Sequence, residues 1–156
     1  MEKLLEEYRY GYQLLKKAIE GLSEEELRFK PAADKWSIHQ ILIHVADSEL
    51  VSTQRMKKVL SEEAPLLMSF AQDAWANSLD YENLDSEQHL LLFNLLRSSM
   101  LPILAHLPAQ KWERVGIYAD AGPFTLKQLL EYRVEHVRGH LAQIARVREA
   151  YQQSKI

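Results

Sequence analysis

Apolar residues recur at spacings of three and four along four long segments of the chain, and polar residues fill the positions between them. This periodicity is typical of amphipathic helices, which bury one face and expose the other. The four helices are predicted over about residues 2–20, 37–60, 85–107 and 125–151. A further helical turn is predicted over residues 23–29.

Three helix starts carry the pattern of a capping box, in which Ser or Thr and a Glu or Gln three residues later bond each other's backbone. The three pairs are Ser23 with Glu26, Ser37 with Gln40, and Thr125 with Gln128. Apolar residues also flank two of these caps in the positions of a hydrophobic staple, Trp36 with Ile41 and Phe124 with Leu129. These local signals predict where the helices begin.

Glycine and proline are scarce, five of each, and this scarcity favours helices over a fold that needs many turns. The connections over residues 61–84 and 108–124 are long, with an extra turn expected near 70–75 and a short extended piece near 114–118. We therefore predict an all-α fold, a four-helix bundle with long crossover connections, in one domain over residues 1–156. The third helix is apolar on more than one side, which suits burial in the bundle or a dimer contact.

The composition narrows the chemistry, because the 156 residues include six histidines and no cysteine. Disulfides, thiolate metal sites and a cysteine nucleophile are therefore excluded. The net charge of −3 and the scattered basic residues argue against nucleic acid as a partner. No apolar run is long enough to span a bilayer, and the acidic start does not resemble a signal peptide, so we expect a cytoplasmic protein without a membrane partner.

Three histidines occupy related positions on the second and fourth helices. His44 lies seven residues after its helix cap, and His136 and His140 lie eleven and fifteen residues after theirs. Because an α-helix advances about 100° per residue, offsets that differ by four keep nearly the same face. Two histidines at this spacing can bind one metal ion. The alternative interpretation is that these histidines are half-buried residues held by hydrogen bonds and bind no metal. The other three, His39, His89 and His106, are predicted to be surface residues.

Two known histidine arrangements are excluded by the neighbouring residues. A zinc protease motif needs Glu directly after the first histidine, and the segment from His136 to His140 has Val there. A ferritin-like di-iron site needs Glu three residues before a histidine, and none of the six has it. The candidate is therefore one metal ion bound by three neutral ligands.

These segments together resemble the DinB/YfiT-like superfamily over roughly residues 5–150. The resemblance is carried by Trp36-Ser-Ile, His44-Val-Ala-Asp-Ser-Glu49, Asp73-Ala-Trp75, Thr125-Leu and His136-x3-His140-x2-Gln-Ile144. It implies a four-helix bundle, often a homodimer, with one divalent metal ion per chain held at the positions of His44, His136 and His140. Zinc or nickel is favoured, with iron and copper also compatible with imidazole ligands. Similar proteins include thiol-dependent transferases, a maleylpyruvate isomerase and candidate metal-dependent hydrolases.

Three neutral ligands would leave the metal its full charge and an open position, where a water molecule or a thiol would lose its proton near neutral pH. Since the chain has no cysteine, a thiol nucleophile would arrive as a cosubstrate. We therefore predict a thiol S-transferase that uses a low-molecular-weight, bacillithiol-like thiol on a small-molecule substrate. A metal-dependent hydrolase and a noncatalytic, stress-related metal-binding dimer stay open as alternatives.

Three further residues are candidates for supporting the site. Glu49 falls on the buried side of its helix and could orient an imidazole or act as a base; a partly exposed surface glutamate is the alternative. Gln143 lies one turn beyond His140 and could bind that ligand or water. Arg97 lies in an apolar helix and could pair with a buried acid or anchor an anionic substrate, unless it extends to solvent.

Overall fold

The computed structural model describes residues 1–156 and contains six α-helices. They are α1 (Glu2–Ala18), α2 (Glu24–Arg28), α3 (Ile38–Ser61), α4 (Gln72–Ser78), α5 (Ser86–Ala105) and α6 (Leu126–Ser154). Three short strands accompany them, β1 (Leu66–Leu67), β2 (Val115–Tyr118) and β3 (Gly122–Thr125). Short 3-10 turns lie at Tyr81–Asn83 and Ala109–Glu113. None of the helices combines the length and the apolar character needed to cross a membrane.

The predicted helix starts are confirmed, because all three capping boxes are present in full. At the start of α3, the backbone N–H of Gln40 donates to Ser37 Oγ at 3.2 Å, and Ser37 N–H donates to Gln40 Oε1 at 3.0 Å. Helix α5 begins with a simpler cap, in which Asp85 Oδ1 accepts from the backbone N–H of Gln88 at 3.0 Å. Side chains thus satisfy donors that a helix start leaves free.

The four long helices form the predicted bundle, with an order around it that differs from their order in the sequence. Helix α3 packs against α5 and α6, and α1 also packs against α5 and α6. Helices α1 and α3 are therefore diagonal to each other, as are α5 and α6. The chain must cross the end of the bundle between α1 and α3 and again between α5 and α6, so the predicted crossover connections are confirmed.

The bundle interior has two apolar clusters separated along the helices. One contains Tyr8, Met56, Met100 and Leu130, and the other contains Leu15, Ile41, Phe93, Val137 and Ile144. At the level between them, each of three helices contributes one buried charged residue, namely Glu49, Arg97 and Arg133. The core is thus interrupted by a polar layer that we call the charged layer.

The second and third long connections meet in a small three-stranded sheet. Strand β1 pairs in parallel with β2, and β2 pairs antiparallel with β3. The extended piece expected near residues 114–118 is β2, while β1 and β3 fall in segments predicted as loop. Gly116 faces Leu67 so closely that a Cβ atom there would overlap the leucine side chain, which explains why glycine occupies this position.

The prediction that His39 is a surface residue is wrong. His39 is buried, and its Nε2 lies 2.9 Å from the carbonyl oxygen of Tyr81. The 3-10 turn that contains Tyr81 folds over the first turn of α3, and the Tyr81 hydroxyl donates to Asp47 Oδ2 at 2.5 Å. His106 is exposed as predicted, and His89 is half-buried at the start of α5.

Candidate metal centre

The three histidines predicted as ligands lie together between two neighbouring helices. His44 projects from α3, and His136 and His140 project from adjacent turns of α6. The Nε2 atom of His136 lies 3.3 Å from that of His44 and 3.1 Å from that of His140. One potential ligand atom from each residue lies within 4.8 Å of the other two, although 92 residues separate His44 from His136. His44 is fully buried and the other two are half-buried.

These contacts fit a cation better than they fit hydrogen bonds. A neutral imidazole nitrogen either donates or accepts through one position, so His136 Nε2 cannot hydrogen-bond both neighbouring histidines at once. A tetrahedral Zn²⁺ site with Zn–N bonds of about 2.0–2.1 Å holds its nitrogens about 3.3 Å from each other. Two of the three nitrogen pairs already have this spacing. The residues therefore fit a divalent metal ion held through three Nε2 atoms.

Burial keeps all three imidazoles in the neutral form that binds metal. It lowers the pKa of His44 from 6.5 to about 3, with smaller effects of the same sign from His140 and Arg133. Burial also lowers the pKa of His136, and Arg133 is the next largest cause. The pKa of His140 is lowered by burial as well, against a smaller opposing effect of its bond to Gln143. All three histidines are therefore uncharged at pH 7, with lone pairs available to a cation.

Gln143 lies where the sequence predicts, beside a candidate ligand. Its Oε1 accepts from Nδ1 of His140 at 2.8 Å, which places the His140 proton on Nδ1 and the lone pair on Nε2. The rings of Trp36 and Phe70 pack against His44, with centroids 4.9 and 5.9 Å from it. Aromatic rings thus shield one side of His44 from water.

Glu49 and Arg97 belong to the charged layer and do not hydrogen-bond any histidine. Arg97 Nη2 lies 3.2 Å from Glu49 Oε2, and Arg97 also donates to the carbonyl oxygens of Tyr8 and Arg133. Arg97 therefore pairs with a buried acid, which is one of the two roles predicted for it, and does not extend to solvent. Glu49 is fully buried, so the alternative of a surface glutamate is wrong. Gly11 permits this packing, because a Cβ atom there would overlap the Arg97 guanidinium.

Two residues that were not predicted from the sequence, Ser48 and Arg133, link the charged layer to the histidines. Arg133 Nη1 donates to Ser48 Oγ at 2.9 Å and lies 3.7 Å from Glu49 Oε2. Ser48 Oγ in turn lies 3.5 Å from His136 Nε2. The signal for Arg133 was present, because this residue sits on the buried stripe of α6, where an arginine needs buried partners.

A cavity of about 440 Å³ opens beside this group. Ser48, Arg133 and His136 form part of its wall, and the aromatic residues Tyr118 and Phe124 of the sheet and Tyr132 of α6 form another part. The candidate metal centre is thus next to a cavity with a volume typical of small-molecule sites.

Fold and site together define a four-helix bundle with a three-histidine centre between its second and fourth long helices. The chain belongs to the DinB superfamily, whose family model matches residues 7–144. A Bacillus licheniformis protein named as a candidate metal-dependent hydrolase is 30% identical over 145 residues, which cover 92% of this chain and 82% of that protein. A Halalkalibacterium halodurans protein with the same kind of name is 30% identical over 124 residues, covering 80% and 72% of the two chains.

Two solved structures share the fold. YfiT from Bacillus subtilis, described as a candidate metal-dependent hydrolase with an unusual four-helix bundle topology, superposes with a TM-score of 0.90 at 26% identity, covering 97% of this chain and 87% of that chain. The mycothiol-dependent maleylpyruvate isomerase superposes with a TM-score of 0.70 at 15% identity, covering 92% and 60%. At that identity the second likeness concerns the fold alone.

Proposed function

We propose that the chain is a metal-dependent enzyme in which His44, His136 and His140 hold one divalent ion. The observation that carries this proposal is the convergence of three neutral imidazole nitrogens, together with the cavity that His136, one of the three histidines, lines. Bound to three neutral ligands, the ion would keep its full charge and would lower the pKa of a thiol or a water molecule beside it.

The residues of the chain orient the ligands and shield the site. The Gln143 carboxamide fixes the tautomer of His140, while Trp36 and Phe70 cover His44. Ser48 accepts a hydrogen bond from Arg133 and lies 3.5 Å from His136 Nε2; with that nitrogen bound to a metal, the Ser48 hydroxyl hydrogen could be donated to a substrate oxygen in the cavity. Ser48 and Arg133 are thus placed to stabilise negative charge that develops next to the histidines.

The first activity that we propose is thiol S-transfer with a low-molecular-weight, bacillithiol-like thiol. The thiol sulfur forms a bond to an electrophilic carbon of the substrate, the leaving group departs with its electron pair, and the thiol proton passes to solvent. The absence of cysteine from the chain and the size of the cavity favour a nucleophile supplied as a cosubstrate. A hydrolase, with water as the nucleophile, is the second candidate, and the names of the relatives with 30% identity favour it.

Turnover with and without thiol separates the two activities. We expect protein loaded with Zn²⁺ or Ni²⁺ to conjugate bacillithiol to monochlorobimane or 1-chloro-2,4-dinitrobenzene at least tenfold faster than the thiol reacts alone. Chelation of the metal should return the rate to that of the thiol alone. The absence of conjugation with bacillithiol and related thiols would contradict the transferase, and hydrolysis of activated esters without thiol would favour the hydrolase. Absence of both activities would contradict an enzyme of either kind.

We also propose that the protein forms a homodimer through α5. Leu91, Leu92, Leu95 and Ile103 are 50%, 36%, 65% and 40% exposed, and they occupy about a third of the helix circumference. Such an apolar face on a helix is typical of a contact surface. This proposal requires no metal.

Leu95→Glu is expected to convert the dimer into a monomer, because it places a charge in an apolar contact. Light scattering coupled to size-exclusion chromatography should give the wild-type chain twice its mass of 18.1 kDa and give the variant that mass. Leu79→Glu is the matched control, since Leu79 is 49% exposed and lies outside α5. A monomeric wild-type protein, or a dimeric Leu95→Glu variant, would contradict a dimer through this face.

A further inference from the structure

The charged layer contains more positive than negative charge. Arg97 and Arg133 are both 2% exposed, and Glu49 is the one carboxylate that pairs with either of them. Each guanidinium approaches the same oxygen, Glu49 Oε2, while Glu49 Oε1 has no hydrogen-bond partner. With the histidines neutral, the layer has a surplus of one positive charge in a region where unbalanced charge is costly.

This surplus charge faces the cavity through Arg133. Arg97 donates through both of its Nη atoms, to Glu49 and to two backbone carbonyl oxygens, and only its Nε has no partner. Arg133 uses only Nη1, which donates to Ser48; its Nε has no partner, and its Nη2 donates to no group of the chain. Arg133 also forms part of the cavity wall. Since Nε is fully buried, Arg133 offers its Nη2 group and its positive charge to a molecule in the cavity.

The other charged residues of the wall do not cancel this charge. Arg55 and Asp120 are of opposite sign, and Arg55 already donates through Nε and Nη2 to the carbonyl oxygen of Met68 at 3.0 and 2.6 Å. The net charge of the wall thus equals that of Arg133. Tyr118, Phe124 and Leu129 supply an apolar surface across the same space.

We propose that the cavity binds an organic anion whose carboxylate or phosphate group pairs with Arg133 and whose apolar body lies against Tyr118 and Phe124. Ser48 completes the recognition, because its hydroxyl accepts from Arg133 and can rotate away from its long 3.5 Å contact with His136 Nε2 to donate to an oxygen of the anionic group. The same anion would lie beside His136, so organic anions are the substrate class that we infer for the proposed enzyme. This catalytic role of the anion rests on the proposed function. The binding itself depends on neither metal nor thiol.

Matched probes test this inference on the metal-free protein. We expect 4-phenylbutanoate and 3-phenylpropylphosphonate each to bind at least tenfold more tightly than the neutral 4-phenylbutanamide, measured by NMR titration at constant ionic strength. Binding of one anion but not the other would identify carboxylate or phosphate as the preferred group. Equal affinity for the amide and both anions would overturn the proposal. Because no turnover is measured, failure of the proposed enzymatic activity does not affect this result.

Arg133→Gln is expected to reduce the preference for the anions to less than about threefold, since its amide keeps a donor for Ser48 but lacks the charge. The variant leaves Glu49 and Arg97 as a balanced pair, which favours folding. Arg146→Gln, which removes an exposed arginine of the same helix, should retain the full preference. If Arg133→Gln does not fold, intermolecular NOEs in the wild-type protein decide: contacts from the probe to Tyr118 and Phe124 support the site, and contacts elsewhere overturn it.

Discussion

His136→Ala is expected to weaken the binding of Zn²⁺ or Ni²⁺ by more than about 100-fold, because loss of a residue that only orients a ligand already costs about 10–100-fold. His136 is the central residue of the three, since its Nε2 lies 3.3 and 3.1 Å from the Nε2 atoms of the other two. After its removal, two histidines remain to hold the ion. Metal content after dialysis, measured by elemental analysis, and competition with a chromophoric chelator give the result.

His106→Ala is the matched control for this experiment, because His106 is exposed and lies outside the cluster. It should retain the metal content of the wild-type protein, which we expect to be about one ion per chain. Gln143→Ala should fall between the two, since His140 keeps its nitrogen but loses the acceptor that fixes its tautomer. Equal metal content in the His136→Ala and His106→Ala variants would contradict the three-histidine centre.

Glu49→Gln is expected to lower the free energy of unfolding by about 3–5 kcal/mol, because it leaves the charges of two buried guanidiniums without a counter-ion. The side chain keeps nearly the same size, so lost packing contributes little. Urea denaturation followed by circular dichroism on the metal-free protein measures the change without a contribution from metal binding.

Glu131→Gln makes the same chemical change at an exposed ion pair, in which Lys127 Nζ lies 3.8 Å from Glu131 Oε1. Both side chains are about half exposed, and such a pair is worth roughly 0–1 kcal/mol. A loss below about 1 kcal/mol for Glu49→Gln would show that water or an anion balances the guanidiniums. That result would contradict the role of Glu49 as the counter-ion of the two buried guanidiniums.

The helices and the histidine cluster could be predicted from the sequence because both depend on local spacing. A capping box needs four consecutive residues, and the face of a helix follows from 3.6 residues per turn. His136 and His140 therefore lie on one face whatever surrounds them. His44 could be placed with them only through its equivalent offset from a helix cap and the family resemblance, since neither signal states which helices are neighbours.

The features that could not be predicted from the sequence depend on contacts between distant segments of the chain. His39 is buried by a 3-10 turn that lies about forty residues further along the chain, and the residues of the first turn of α3 do not indicate this burial. The pairing of Arg97 with Glu49 requires the relative register of α3 and α5, which a single helix pattern does not contain. Strand β1 has two residues, too few for an alternating pattern to indicate a strand.

The order of the helices around the bundle has a consequence for how the protein forms during synthesis. The ribosome completes α1, α3 and α5 before α6, so the early chain contains His44 and a balanced pair of Glu49 and Arg97. Because α6 packs against both α1 and α3, its docking would bring Arg133 and the remaining two histidines to the bundle together. Before α6 is in place the chain has one of the three histidines of the cluster, so the proposed binding of a metal ion by three histidines would require this last helix.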